Sequence, residues 1–190
     1  MAAPITIAFV DHAAQIGGAE KSLLELVAHL DRARFAPVIL HQAGAEWVPS
    51  DPRELRFLPA VPPSKLYDQR RSELSPTLVG NLRRTWQATR IVARLARELG
   101  RLRPALVHTN STKMHLIAGT AARLRRLPVI WHMRDLLSEP GARQWLARAV
   151  RRIRTEVIAI SAAVAAQFEG LPCRVHLIPN GIPLDRFAPG

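Results

Sequence analysis

Short apolar runs alternate with amphipathic segments of helical spacing along almost the whole chain. A β-branched apolar run predicts a buried strand, and apolar residues three or four apart predict a helix. Strands that alternate with helices form a parallel sheet. The sequence therefore predicts an α/β fold, a doubly wound, mostly parallel Rossmann-like sheet with helices on both faces. The predicted strands are 5–10, 36–41, 55–58, 105–109, 129–132, 157–160 and 175–178, and the predicted helices are 19–30, 77–102, 113–124, 143–153 and 162–168.

The composition indicates one globular domain in a reducing compartment. A chain of 190 residues with 48% hydrophobic content is long enough for one sizeable core. No apolar run approaches the roughly 18 residues that span a bilayer, and the start "MAAPITIAFVDH" lacks the basic segment of a signal peptide. The single cysteine, Cys173, forbids an internal disulfide. We therefore expect a cytoplasmic protein.

The net charge of +12 favours anionic partners, which include phosphorylated ligands, membrane surfaces and nucleic acid. Much of this charge is arginine on the predicted helices 77–102 and 143–153. These helices either dock the domain on the anionic inner face of a membrane, with Trp86 or Trp145 near the interface, or form solvated faces. Nucleic acid is not an expected partner, because the sequence has no DNA-reading motif and no basic sheet interleaved with aromatic residues.

Ligands of an open parallel sheet bind beyond the carboxyl ends of its strands. Gly17 and Gly18 lie in the first such loop and predict either free amides that bind phosphate at a helix N-terminus or an ordinary turn. Their context "GGAEKS" is neither a dinucleotide-binding nor a Walker motif. The candidate substrate-binding residues at this edge are Gly17, Gly18, Glu20, Lys21, Asn110, Ser111, Lys113, Arg134, Asp135, Asn180 and Gly181.

The segment "VIWHMRD" places three functional side chains at the end of the fifth predicted strand. His132 is suited to stabilise an anion or to orient a sugar hydroxyl, and Arg134 is suited to bind a phosphate. Asp135 either fixes that arginine or caps the next segment. The alternative is a histidine satisfied by the backbone beside a structural Arg–Asp pair. Ser111 and Ser161 are interpreted as helix N-caps, which weakens any role for them in catalysis.

Several ordered segments together resemble the N-terminal domain of group 1, or family 4, retaining glycosyltransferases. They are "QIGGAEKSLLELVAHL", "PALVHTNSTKMHLIAGTAARLRRLPVIWHMRD", "VIAISAAVAAQFEG" and "VHLIPNGIPLDRF". The resemblance implies the GT-B architecture, in which two Rossmann-like domains face each other across a cleft. It further implies that residues 1–178 are the acceptor-side domain, that 179–190 begin the interdomain linker, and that the C-terminal donor domain is absent.

The resemblance also implies a reaction and the roles of particular residues. A hexosyltransferase of cell-envelope polysaccharide biosynthesis would move a sugar from a nucleotide-sugar donor to a saccharide or lipid-linked acceptor, without a metal ion or cofactor. His132 then contacts the transferred sugar as the catalytic residue, Gly17 and Gly18 lie near the donor phosphates, and Asn180 and Gly181 form the interdomain turn. The 59–75 loop governs acceptor choice, and the fragment alone is inactive.

Two other classes remain open at this stage. The first is a stand-alone binding module that holds a phosphorylated sugar, a lipid or a protein partner without catalysis. The second is a sugar-nucleotide epimerase of the same two-domain architecture, for which the sequence carries no distinctive signal. Measurable ligand affinity without turnover would favour the binding module.

Overall fold

A computed structural model of the chain describes residues 3–48, 55–64, 67, 78–138 and 141–181. Within these residues the strands and helices alternate as the sequence predicts. The elements are β1 Ile5–Val10, α1 Gly18–Ala28, β2 Phe35–Gln42, β3 Arg56–Val61, α2 Leu78–Leu102, β4 Leu106–Thr109, α3 Thr112–Leu124, β5 Val129–Met133, α4 Ala142–Ile153, β6 Glu156–Ala159, α5 Ala162–Ala166 and β7 Val175–Leu177.

The seven strands form one sheet in the order β3-β2-β1-β4-β5-β6-β7, and every neighbouring pair is parallel. The strand order reverses between β1 and β4, where Ala8 stands opposite Val107. The predicted doubly wound Rossmann-like sheet is confirmed. The reversal opens a crevice between the loops that follow β1 and β4, which is where ligands bind in sheets of this type.

Several element boundaries differ from the sequence predictions by one to three residues, and two of the shifts affect the interpretation. Strand β3 continues to Val61 and therefore includes the first residues of the predicted 59–75 loop, because Ala60 and Val61 are buried against the core. Most of the remaining loop lies outside the described residues. Helix α5 ends at Ala166 instead of Phe168, although the Phe168 side chain still packs in the core.

Each face of the sheet has its own hydrophobic core. Because alternate residues of a strand point to opposite faces, Ala8 and Val10 contribute to one core and Ile7 and Phe9 to the other. Among the described helices only α1 packs on the second face, whereas residues of α2, α3, α4 and α5 pack on the first. The helices therefore lie on both faces, as predicted, but they are divided unequally.

Three helices end with an arginine in the left-handed backbone region. Arg103 follows α2 with a φ of 50°, Arg126 follows the C-cap of α3 with a φ of 57°, and Arg154 is the C-cap of α4 with a φ of 57°. Glycine is the usual residue at such positions, because a Cβ is strained there. No helix among the described residues is long and apolar enough to cross a membrane.

Candidate functional site

A chain of hydrogen bonds connects the loops that follow β1, β4 and β5 at the reversal of strand order. Asn110 donates from Nδ2 to Asp11 Oδ2 at 2.9 Å and to the Ala19 carbonyl at 3.0 Å. Arg134 donates from Nε to Asn110 Oδ1 at 3.0 Å. Asp11 and Asn110 are buried. The charges of Asp11 and Arg134 are therefore connected through one amide, which holds the three loops in a fixed arrangement.

The Arg134 guanidinium also joins the site to helix α1 and to the segment after β7. Nη1 donates to Ser22 Oγ at 2.9 Å and to Asn180 Oδ1 at 2.8 Å, and Ser22 Oγ donates to the same Asn180 oxygen at 3.2 Å. Of the two roles predicted for Asp135, a direct ion pair with Arg134 is not present in this geometry. Asp135 is exposed, and among the described residues no carboxylate lies within salt-bridge distance of Arg134.

His132 lies at the inner side of this network and is 7% exposed. Arg134 Nη2 is 3.2 Å from His132 Nδ1, and because a guanidinium only donates, Nδ1 is the acceptor and the neutral ring carries its proton on Nε2. Burial, and after it the Arg134 charge, lowers the pKa of His132 to about 4. Nε2 is buried without a partner among the described residues. His132 is therefore a neutral ring whose buried Nε2–H has no acceptor among the described residues.

Two further buried histidines stand beside His132. The His108 ring meets the His132 ring edge-on at 5.2 Å, and both His108 nitrogens lack a partner in the described part of the chain. His115 stacks on Trp131 at 5.2 Å and shares a 2.6 Å hydrogen bond with Thr109 Oγ1. Burial lowers the pKa of His108 well below its usual range and that of His115 to about 3. The group is therefore neutral at physiological pH.

The loop before α1 differs from the expected pair of free amides. Glu20 reaches back so that the Gly17 amide donates to its Oε2 at 2.7 Å. A Cβ at Gly17 would lie 2.9 Å from that oxygen, whereas one at Gly18 would meet nothing within 4 Å. Burial, followed by the Asp11 charge, raises the pKa of Glu20. The expectation of a free amide is therefore corrected for Gly17: a phosphate there must displace the Glu20 carboxylate.

The remaining predicted residues occupy separate positions around the same edge. Ser111 is the N-cap of α3, as predicted, and its Oγ lies 3.0 Å from His12 Nδ1. Ser161 likewise caps α5 by accepting the Val164 amide at 3.3 Å. Lys113 donates to the Tyr67 carbonyl. Lys21 is exposed in the first turn of α1. The network thus brings together His132, Arg134, Asn110 and Asn180, but not Lys21, Lys113 or Asp135.

Two pockets open at this edge. The first, of about 320 Å³, lies between α1 and the segment after β7 and is lined by Ser22, Glu25, Leu26, His29, His132, Ile178, Pro179, Asn180 and Gly181. The second, of about 390 Å³, lies near the ends of β1 and β2 and is lined by His12, Ala13, Ala14, Gln42, Pro63, Ser64 and Tyr67. His132 and Asn180 connect the first pocket with the hydrogen-bond network.

Sequence reasoning missed Ser22 and the buried His108 as members of this region. Ser22 stands four residues after Gly18 on α1, so helical spacing offered a signal for its position. His108 offered a weaker signal, as a titratable residue inside an apolar strand. Among the residues that the structure describes, no group of three or more His, Cys, Asp or Glu side chains is arranged to hold a metal ion.

The motif resemblance is confirmed by a family model. The model for Glycosyltransferase Family 4 matches residues 16–186, which is most of the chain and includes Asn110, Arg134 and the lining of the first pocket. The chain therefore belongs to glycosyltransferase family 4. No protein of curated function matches the sequence significantly.

Solved glycosyltransferase structures have the same fold over about half of their length. HepE from Anabaena, crystallised with UDP and glucose, is 18% identical, with a TM-score of 0.62, over 95% of this chain and 46% of its own. WaaB, a lipopolysaccharide outer core galactosyltransferase, is 13% identical with a TM-score of 0.62 over 94% and 46%. A Rickettsia africae glycosyltransferase is 15% identical with a TM-score of 0.63 over 97% and 45%. The chain thus has the fold of one half of a GT-B enzyme.

Proposed function

We propose that this chain is the acceptor-side, N-terminal domain of a retaining hexosyltransferase. In this proposal a cytoplasmic enzyme moves a sugar from a nucleotide-sugar donor to a saccharide or lipid-linked acceptor of the cell envelope, without a metal ion or cofactor. A second domain, joined through the segment that begins at Pro179, supplies most of the donor contacts. The chain alone is then inactive in transfer.

The observation that carries the proposal is the neutral His132 at the pocket beside α1. An imidazole with its proton on Nε2 and no protein partner is suited to donate a hydrogen bond to a sugar hydroxyl. Its partner Arg134 fixes the ring orientation through Nδ1. A buried donor without an acceptor costs about 1–3 kcal/mol. In the proposal the site adjusts around the sugar so that a hydroxyl oxygen reaches Nε2, which is buried here, and the new hydrogen bond offsets that cost. In the proposal His132 is the catalytic residue because it touches the transferred sugar.

The leaving group of the proposed reaction is a nucleoside diphosphate. The acceptor oxygen forms a bond to the anomeric carbon on the face from which the diphosphate departs, and the acceptor proton passes to the leaving phosphate. Amides at the N-terminus of α1 are suited to stabilise that charge. Gly18 is open to a ligand, whereas Gly17 becomes available when Glu20 moves away. HepE has been crystallised with UDP and with UDP-glucose, which supports a nucleotide-sugar donor for this family member.

We assign the second pocket to the acceptor. His12 meets the Tyr67 ring edge-on at 4.9 Å, and both residues line this pocket together with Ser64 and Gln42. Aromatic edges and side-chain amides are suited to a sugar, which offers hydroxyls and apolar ring faces. Tyr67 and Ser64 belong to the 59–75 segment that the sequence analysis associates with acceptor choice.

The first experiment is the intact mass of the native protein. A mass near twice the 21.1 kDa of this chain supports the two-domain enzyme. A mass of 21.1 kDa instead supports a stand-alone binding module, and a separate donor domain must then be sought before transfer is assigned.

The second experiment tests His132 in the two-domain enzyme with a panel of UDP-sugars. His132→Ala is expected to lower kcat by at least about 100-fold, because removal of one preorganised hydrogen-bond donor from an active site can have an effect of that size. His176→Ala is the matched control, since His176 is exposed on β7 and pairs with Glu156. Turnover of the His132 variant within a few-fold of wild type would exclude the assigned role.

A further inference from the structure

The edge of the sheet opposite the candidate site carries a row of arginines. Every strand except β1 begins at an arginine or within three residues after one. The arginines are Arg34, Arg56, Arg103, Arg126, Arg154 and Arg174, and all six are exposed. Because parallel strands begin at the same edge and lie about 4.8 Å apart, these residues form a row about 29 Å long. We call this row the arginine edge.

Helix capping does not account for the arginine edge. Arginines near a helix C-terminus can donate to its last carbonyls, but among the described residues only Arg32, outside the row, does so, to the Val27 carbonyl of α1. The Arg34 guanidinium stacks over the Phe35 ring, and the side chains of the other five members make no hydrogen bond or ion pair within the described residues. Their charges therefore repel one another in solution without compensation from the fold.

Acidic residues near this edge have other partners. Asp31 accepts the Ala33 amide at 2.9 Å, and Glu156 pairs with His176 at 2.9 Å. Three members of the row, Arg103, Arg126 and Arg154, also hold the strained left-handed backbone where glycine is more stable. The edge thus combines charge repulsion with backbone strain, and the repulsion is offset when a multivalent anion binds.

We propose that the arginine edge docks the domain on an anionic lipid surface. Two apolar side chains lie at the same edge: Leu124, the last residue of α3, is 66% exposed, and Ile5, the first residue of β1, is 49% exposed. Arginines interleaved with exposed aliphatic side chains are typical of binding to an anionic bilayer interface. Single-stranded nucleic acid is a less suitable partner, because its bases stack on exposed aromatic rings. No Phe, Tyr or Trp is exposed among the described residues of this edge.

This surface differs from the helix faces considered in the sequence analysis. Trp145 is half-buried against the larger core, and the Trp86 ring is covered by the Arg90 guanidinium at 4.5 Å. Trp86 nevertheless remains 59% exposed, so docking through the face of α2 stays a separate prediction from docking through the arginine edge. The proposal uses the edge of the sheet instead, and it does not depend on whether the chain takes part in sugar transfer.

The test is co-sedimentation of the 190-residue chain with vesicles of phosphatidylcholine, with or without phosphatidylglycerol. We expect binding only to the anionic vesicles. A triple variant, Arg103→Gly, Arg126→Gly and Arg154→Gly, is expected to bind at least about tenfold more weakly, since each basic residue near an anionic surface contributes substantially to binding. The same variant should melt at a higher temperature because strain is relieved, so unfolding cannot explain its loss of binding.

The matched control lowers the net charge equally at other places. Arg83→Gln, Arg90→Gln and Arg143→Gln change exposed residues of α2 and α4 that lie away from the arginine edge. This variant is expected to bind within about threefold of wild type. Equal weakening in both triple variants would mean that only net charge matters, and would overturn the proposal.

Two further outcomes separate lipid from other polyanions. Leu124→Ser is expected to weaken vesicle binding a few-fold and to leave binding of polyuridylic acid unchanged. Absence of wild-type binding to anionic vesicles would overturn the proposal. Binding of polyuridylic acid that is tighter than vesicle binding, and is lost in the glycine triple variant, would assign the edge to nucleic acid instead.

Discussion

The two edges of the sheet use positive charge in opposite ways. At the carboxyl edge one half-buried arginine, Arg134, makes hydrogen bonds to Asn110, Ser22, Asn180 and His132. At the amino edge the guanidinium groups of a row of exposed arginines have no hydrogen-bond partner in the part of the chain that the structure describes. A fixed, desolvated charge recognises a ligand by geometry, whereas exposed charges act through their combined field. The first arrangement is typical of a specific site and the second of a docking surface.

Among the tests of this contrast, removal of Arg134 is expected to have the largest effect on stability. Arg134→Ala leaves Asn110, Asn180 and His132 without their donor and Asp11 without the nearest positive charge, so we expect the free energy of unfolding to fall by about 3 kcal/mol. Urea denaturation followed by circular dichroism measures it. Arg126→Ala, at the other edge, is the control and should change stability by less than about 0.5 kcal/mol. Similar losses in both variants would contradict the distinction between the edges.

Acid titration tests the buried histidines beside the site. The pKa of His132 is lowered from 6.5 to about 4 in the folded chain, so between these values the unfolded chain binds more protons. Stability therefore falls as the pH decreases from about 6.5 to 4. For His132 the expected loss by pH 5 is about 2 kcal/mol relative to pH 8.

The comparison that isolates this effect is His132→Gln, which removes the titrating group. Its stability difference between pH 8 and pH 5 should be about 2 kcal/mol smaller than that of the wild type. His108 and His115, whose pKa values are also lowered by burial, account for part of what remains. An unchanged pH dependence in His132→Gln would mean that the ring is accessible to protons in the folded protein.

The smallest expected effect is the gain in melting temperature when backbone strain at the arginine edge is relieved. Arg126 has a φ of 57°, and glycine adopts that conformation without a Cβ penalty of about 1 kcal/mol. Arg126→Gly is therefore expected to raise the melting temperature by a few degrees in differential scanning calorimetry. Arg126→Ala keeps the Cβ and should give no gain. An equal gain in both variants would point to relief of charge repulsion instead of backbone strain.

The sequence predicted the fold well because hydrophobic periodicity reports directly on burial. Each predicted strand overlaps an observed one, and the apolar alternation of Ile7 and Ala8 matches their two separate cores. Loops at the carboxyl edge also follow from topology alone, so the positions of Asn110 and His132 were predictable.

The partners within the site were less predictable. Asp135 is adjacent to Arg134 in sequence, yet Asn180, which lies 46 positions away, receives its hydrogen bond. The long side chain of an arginine can reach several loops, and which loop supplies its hydrogen-bond partner depends on the tertiary structure. The hydrogen bond from the Gly17 amide to the Glu20 carboxylate was likewise not predictable from the sequence. The same residues are compatible with a helix cap and with an open phosphate-binding loop.

The hydrogen bonds of Asn110 to Asp11 and of Arg134 to Asn180 also determine when the site can form during synthesis of the chain. Their partners are separated by 99 and 46 positions, so the site has no local precursor. During synthesis the Asp11 loop must wait for β4, and the Arg134 guanidinium lacks one acceptor until residue 180 has left the ribosome. The complete network therefore forms only after residue 180 is available, and a nascent chain that stops before β7 displays the crevice without the contact from Asn180.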